Sequence, residues 1–305
     1  MKGVENVEMQ VENNLQPPIR PADEKAVSPW LEGWRSFKKN KLAIIGTGIV
    51  VFFILLAIFA PVIAPSGIND QVLANKLQAP SSEHWFGTDD FGRDIFSRVI
   101  YGARISLWVG FLSVVGSIVV GCALGIIAGY YGKWVDMIIS RIFDIMLAFP
   151  SILLAIAIVA VLGPSLKNAL IAIATINIPN FGRLIRSRVL SVKEEEYIMA
   201  AKAIGMSNTR ILVAHVLPNS MAPIIVQGTL AIATAIIEAA ALGFLGLGAE
   251  APNPEWGKML SDAKTFLVQA PWTMIFPGLA IMLTVLGFNL MGDGLRDALD
   301  PRMKN

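Results

Sequence analysis

Hydrophobic positions in this chain are gathered into long blocks rather than spaced at a helical or strand period. Six such blocks fall at about 42–64, 104–129, 142–163, 168–186, 221–247 and 272–294. A helix needs about 20 mostly apolar residues to cross hydrocarbon, so each block predicts one membrane span. Runs such as IIGTGIVVFFILLAIF insert readily, because each central Leu, Ile, Val or Phe contributes about −0.3 to −0.6 kcal/mol. The fourth block differs in carrying Asn177, Pro179 and Asn180 within TINIPNFG. It is expected to be kinked, with its freed backbone groups satisfied by neighbouring helices or water. Pro150, Pro223 and Pro277 predict bends in spans three, five and six.

Composition agrees with this pattern. The chain has 305 residues, 54% of them hydrophobic, beyond the roughly 45–50% of soluble domains. An all-α integral membrane protein follows, with one six-span domain over 35–305 behind a polar tail, 1–34, expected to be cytoplasmic and mostly disordered. The first apolar block begins too late and runs too long for a cleaved signal peptide, so it is expected to stay as an anchor. Orientation rests on basic residues. Arg35, Lys38, Lys39 and Lys41 precede span one, and Arg183, Arg186, Arg188 and Lys193 follow span four, which places both termini and the segment after span four in the cytoplasm. Lys76, Arg93, Arg98 and Arg104, between spans one and two, oppose that scheme, and Asp89, Asp90 and Asp94 do little to offset them. A net charge of +2 gives no reason to expect nucleic acid. The single cysteine, Cys122, rules out an internal disulfide and leaves the redox compartment open.

Between spans four and five lies a polar, glycine-interrupted stretch, AAKAIGMSNTRILVAHVLPN, from Ala200 to Asn219. Glu194, Glu195 and Glu196 precede it and suit the first turn of a helix. Gly205 can end that helix in a left-handed conformation. Ser207 or Asn208 can then cap a second short helix that must finish before Pro218. The expected product is a bent helix pair over about 194–219, with Ala200, Ala201 and Ala203 making one side smooth. Two readings remain open from these residues alone: a surface that another protein approaches, or a helix lying against its own bundle.

Other features carry less. Gly121, Gly125 and Gly129 recur every fourth residue in span two, a pattern that lets helix backbones approach; packing within the chain is favoured over a subunit contact. Glu238 is the only carboxylate well inside a span, whereas Asp144 and Asp293 fall near span ends. It faces a path or a partner permease, or else fixes the register of two helices. His84 and His215 are expected on opposite faces of the membrane, too far apart to share a metal. The segment 86–101 is expected to form an interfacial helix with Ile95, Phe96, Val99 and Ile100 in lipid or packed on the bundle.

The order of residues after span four resembles the cytoplasmic signature of permease subunits of ABC importers: Glu-Ala-Ala, three residues, Gly, nine residues, Ile, one residue, Leu-Pro. Ala200 and Ala201 match its alanines, Gly205 its glycine, and Leu217 with Pro218 its ending, while Met199 stands at the Glu and His215 at the Ile. HWFGTDDFGRDIFSRVIYGARISL, RIFDIMLAFPSILLAIAIVAVLGPS, EAAALGFLGLGAEAPNPEWGKML and NLMGDGLRDALDPR resemble blocks of the dipeptide, oligopeptide and nickel importers, specifically the second permease of their pair. The resemblance covers about 35–303. It implies the six-span type I importer permease fold, in which Ala200, Ala201, Gly205, Leu217 and Pro218 form a coupling helix against an ATPase. It also implies a second homologous permease, two ATPase subunits, an extracytoplasmic binding protein and a place in a bacterial-type cytoplasmic membrane. No G-x-x-x-x-G-K-[ST] loop is present. The chain is therefore expected to be non-catalytic and to hold no cofactor, with ATP and Mg bound by the partners. Peptide is the expected cargo, with nickel or another small solute as the alternative. A self-sufficient secondary transporter or channel would need several ionisable residues inside the spans. Glu238 alone does not supply them. An intramembrane hydrolase would need a nucleophile elbow, and no G-x-S-x-G occurs.

Overall fold

The computed structural model describes residues 29–299, and among these every regular element is helical. A helix α1, Pro29–Lys39, leads into α2, Lys41–Ile58, through Asn40, whose side-chain oxygen accepts from the Leu42 and Ala43 amides. A further turn, α3, Ala60–Ile63, closes span one. Most of the tail expected over 1–34 lies outside the described residues. Its last part, 29–34, is helical and belongs to α1, because the same helix continues to Phe37, which packs against Ala43 and Ala298.

Span two is α4, Ile95–Tyr131. At 1.5 Å per residue its 37 residues extend about 55 Å, well beyond a hydrocarbon core of about 30 Å. The expected interfacial helix over 86–101 is absent as a separate element. Ile95, Val99 and Ile100 are instead in the first turns of α4 and are buried, Ile95 and Val99 in a cluster with Trp256 and Met259 rather than in lipid. The alternation of Gly, Asp and apolar residues ahead of Ile95 reflects a loop stitched to itself. Asp94 caps α4 by accepting from the Ser97 amide at 2.7 Å, and the His84 ring meets the same carboxylate at 3.1 Å.

Span three is two helices, α5, Lys133–Ala148, and α6, Ser151–Leu162, meeting at 97°. Pro150 sits at the corner. It cannot donate a backbone hydrogen bond, and it biases Phe149 to the extended conformation that it adopts here. Span four, α7, runs unbroken through Pro179 from Leu166 to Lys193. Among the described residues four helices are each long and apolar enough to cross a membrane, and the bent pair taken as one span makes a fifth. α7 falls short on composition because it carries Asn177, Asn180, Arg183 and Arg186. It packs on α4, α5, α6 and the fifth span.

The seam between α4 and α7 is the most extensive in the molecule. Small residues line it every fourth position. Ser113 and Ser117 donate hydroxyl bonds to the Leu170 and Ala174 carbonyls, at 3.3 and 2.8 Å. Further along, a Cβ on Gly121 would lie 2.7 Å from the Ile178 carbonyl oxygen, and one on Gly129 3.0 Å from that of Arg186. Gly121, Gly125 and Gly129 therefore serve packing inside the chain.

After span four come α8, Glu196–Ala203, and α9, Asn208–Ile211. A π-helical turn, Leu212–Val216, joins α9 to α10, Leu217–Phe244. α11, Trp256–Ala263, then tucks beneath the start of α4, and α12, Trp272–Leu299, closes the bundle against α2 and α10.

Candidate coupling segment and intramembrane carboxylate

α8 begins about two residues later than its three glutamates suggest. Glu195 occupies the capping position and only Glu196 lies in the first turn, while Glu194 finishes the preceding helix. The helix stops where the glycine demands it. Gly205 takes φ +82, its amide returns to the Lys202 carbonyl at 3.0 Å, and the Met206 amide reaches back to Ala201 at 3.0 Å. Nothing lies within 4 Å of where a Cβ on Gly205 would sit, so glycine is required here by backbone conformation and not by crowding.

The second arm does not finish before Pro218. It runs through the π turn directly into span five, as one helical stretch from Asn208 to Phe244. In an α-helix the Pro218 ring would clash with the carbonyl four residues back. The wider turn removes that conflict: the Leu217 amide bonds to the Leu212 carbonyl, five residues back. Leu217 and Pro218 are thus the first turn of a continuous α10 and not the end of a separate helix.

On the first arm the exposed side carries Met199, Ala200, Ala203 and Ile204, the last 80% exposed. Ala201 faces the other way. With Ile198 it packs on Ile211, Val216, Ile185 and Val189 beneath the pair. The smooth side therefore consists of Ala200 and Ala203 flanked by Met199 and Ile204, with Ala201 serving the joint behind it. Charge nearby is compensated by ion pairs, Arg183 with Asp144 and Arg186 with Asp136, which tie α7 to α5.

Glu238 lies in the middle of α10, 7% exposed, and accepts a hydrogen bond from Asn177 Nδ2 of α7 at 3.0 Å. The same Asn177 nitrogen donates to the Ile173 carbonyl at 3.0 Å, and Asn180 reaches the Asn177 oxygen at 3.5 Å. Within the chain Glu238 therefore joins spans four and five. Among the described residues no Lys, Arg or His forms an ion pair with it.

The opposite end of the molecule accounts for two of the basic residues that oppose the orientation argument, while Arg104 is exposed. Arg93 and Arg98 are buried, and both engage Asp89, at 2.6 and 3.5 Å, while Arg98 Nη1 also donates to the Ile68 carbonyl at 3.2 Å. They are structural cations. His84 lies at this end, beside the start of α4, and His215 lies beyond its other end, so the two do not meet. Among the described residues no cluster of His, Cys, Asp or Glu is placed to hold a metal. Glu255, which the sequence reading passed over, caps α11 by accepting from the Gly257 and Lys258 amides, both at 2.8 Å. Burial pushes its carboxyl above the usual range, against the two amides and the Ser106 hydroxyl that favour the ionised form.

Fold and site together are those of a multi-pass membrane permease. The chain belongs to the family described as "Binding-protein-dependent transport system inner membrane component", whose model matches residues 121–305, and residues 28–80 match the "N-terminal TM domain of oligopeptide transport permease C". Among its relatives, the dipeptide transport system permease protein DppC of Alkalihalophilus pseudofirmus is 69% identical over 280 residues, 92% of each chain. The glutathione transport system permease protein GsiD of Pectobacterium atrosepticum is 47% identical over 284 residues, covering 93% of this chain and 94% of the relative. In solved structures, an inward-facing form of the MetNI methionine ABC transporter shares the fold. It matches 67% of this chain and 97% of its own with a TM-score of 0.53, at 18% identity. The protein is accordingly a multi-pass inner-membrane component of an ABC importer that works with other components of its transport system.

Proposed function

We propose that this chain forms half of the translocation path for di- or oligopeptides, paired with a second permease and served by two ATPase subunits and an extracytoplasmic binding protein. The continuity of the Gly205 helix pair with span five carries the reading, because an ATPase gripping Met199, Ala200, Ala203 and Ile204 would hold the end of a rod that crosses the bundle. Closure of the ATPases on ATP moves the pair as a rigid body. The rod passes that movement to span four through Asn177 and Glu238. ATP and Mg stay with the ATPases. The pair and both termini face the cytoplasm, a placement that gains support now that Arg93 and Arg98 are bound up in internal structure.

Peptide is favoured as cargo because the relatives named above are described as dipeptide and glutathione permeases. Uptake of labelled peptides and of nickel, measured in membranes containing the whole system, tests it. Nickel uptake without peptide uptake would reverse the assignment. With Cys122 replaced, labelling of a cysteine at Ser207 by an impermeant reagent outside intact cells would refute both the orientation and the docking.

A further inference from the structure

The hinge of the coupling segment is bare. Gly205 has open space where a side chain would be, so no side chain at that position braces the bend, although Met206 beside it packs on the apolar cluster behind the pair. The apolar contacts behind the pair, Ile198 and Ala201 with Ile211 and Val216, hold the arms together on one side only. Besides the backbone bonds that close the bend, from the Gly205 and Met206 amides, the side-chain contacts across it among the described residues fall at two places, and each is made by a tyrosine.

Tyr130 closes the last turn of span two. Its hydroxyl donates to Asn208 Oδ1 at the start of the second arm, and the Lys202 ammonium of the first arm lies 6.0 Å from its ring centroid. Its backbone carbonyl accepts from Lys193 Nζ, at the end of span four, at 3.3 Å. One residue thus touches both arms and joins two spans to them. Tyr197, on the first arm, makes the second crossing. Its hydroxyl accepts from Asn219 Nδ2 at 3.1 Å, and its ring lies 5.9 Å from that of His215. Asn219 also donates to the His215 carbonyl at 2.8 Å, which holds its amide against the rod. His215 stands where the importer signature has isoleucine, so this ring contact belongs to this chain's own sequence.

We infer that Tyr130 and Tyr197 are positioning residues that fix the angle of the helix pair across Gly205, so that force applied to the first arm turns the span-five rod instead of flexing the bend. The inference rests on the reading of the pair as the ATPase contact. Tyr130 also makes span two part of the same rigid unit, through its contacts with both arms.

The test uses membranes containing the complete transport system and reads peptide uptake per ATP hydrolysed, with abundance and ATPase copurification alongside. Tyr130→Phe and Tyr197→Phe remove the two hydroxyls and keep the rings. Each is expected to lower uptake per ATP about fivefold, the value of one lost hydrogen bond, and the double variant to lower it further, at unchanged abundance. Asn208→Asp keeps the acceptor for Tyr130 and should preserve the ratio, whereas Asn208→Leu should match Tyr130→Phe. Combining those last two changes should cost no more than either alone. If the double tyrosine variant keeps full uptake per ATP while Gly205→Val loses it, the tyrosines do not set the angle and the coupling reading stands. If Gly205→Val also keeps full uptake per ATP, the coupling reading fails and takes this inference with it. Loss of the tyrosine variants from the membrane would overturn the inference by assigning the hydroxyls to folding.

Discussion

Replacing Gly205 with valine perturbs the backbone alone. A Cβ at this position meets nothing within 4 Å, so no clash contributes, and the cost is that of holding a β-branched residue at φ +82. That cost is about 1–2 kcal/mol, equivalent to a factor of about 5–30 in the population of the bent form. It is too small to keep the spans from inserting, because Gly205 is exposed and lies outside every span. Gly205→Asn provides the control, since asparagine enters the left-handed region with less strain. Abundance, copurification of the ATPases and uptake per ATP are to be measured in one preparation. The valine variant should show normal abundance with uptake per ATP reduced about 5–30-fold, and the asparagine variant should lie near wild type. Full uptake by Gly205→Val would refute the argument that the bend transmits force. Disappearance of the protein from the membrane would mean that the glycine serves folding.

Gly121→Ala should act in the opposite sense, lowering abundance while the surviving protein remains coupled. Its Cβ would lie 2.7 Å from the Ile178 carbonyl oxygen in the span two and span four seam, and overpacking of this kind costs about 1–3 kcal/mol, readable as a lower aggregation temperature after solubilisation. Asp89→Ala leaves the buried Arg93 and Arg98 without their carboxylate and should destabilise by about 3–5 kcal/mol, seen as poor recovery of folded protein. Glu238→Gln retains an acceptor for Asn177 and should keep normal abundance, whereas Glu238→Leu removes it and should cost about 1–3 kcal/mol. Unchanged uptake by Glu238→Gln would show that the charge has no part in the path and that the residue fixes helix register.

Much of this protein could be read locally. Blocks of apolar residues specify spans because insertion depends on the summed transfer free energy of a segment, whatever its neighbours. Gly205 specifies the stop of α8 because φ is limited by the residue's own side chain. Gly121, Gly125 and Gly129 could be assigned to a helix seam by spacing, though not the helix that they meet. Local rules misjudged the second arm, which was expected to end before Pro218. A proline conflicts with a regular α-turn ahead of it, but the π turn carries the arm into span five with Pro218 in the first turn of α10. The corner at Pro150 was likewise legible as a bend, while its 97° and the packing of both halves on span four were not. Contacts at long separation were the least accessible. Glu238 meets Asn177 across 61 positions and Tyr130 meets Asn208 across 78, and no periodicity relates such pairs. Arg93 and Arg98 looked like orientation signals until burial beside Asp89 showed them to be structural. Sequence by itself determined the spans, the stop at Gly205 and the small-residue face, because each depends on residues within a few turns. Only the tertiary structure decided which helix faces meet, and with them the tyrosine crossings and the intramembrane bridge, because a hydrogen-bond partner exists only once packing has brought its helix alongside.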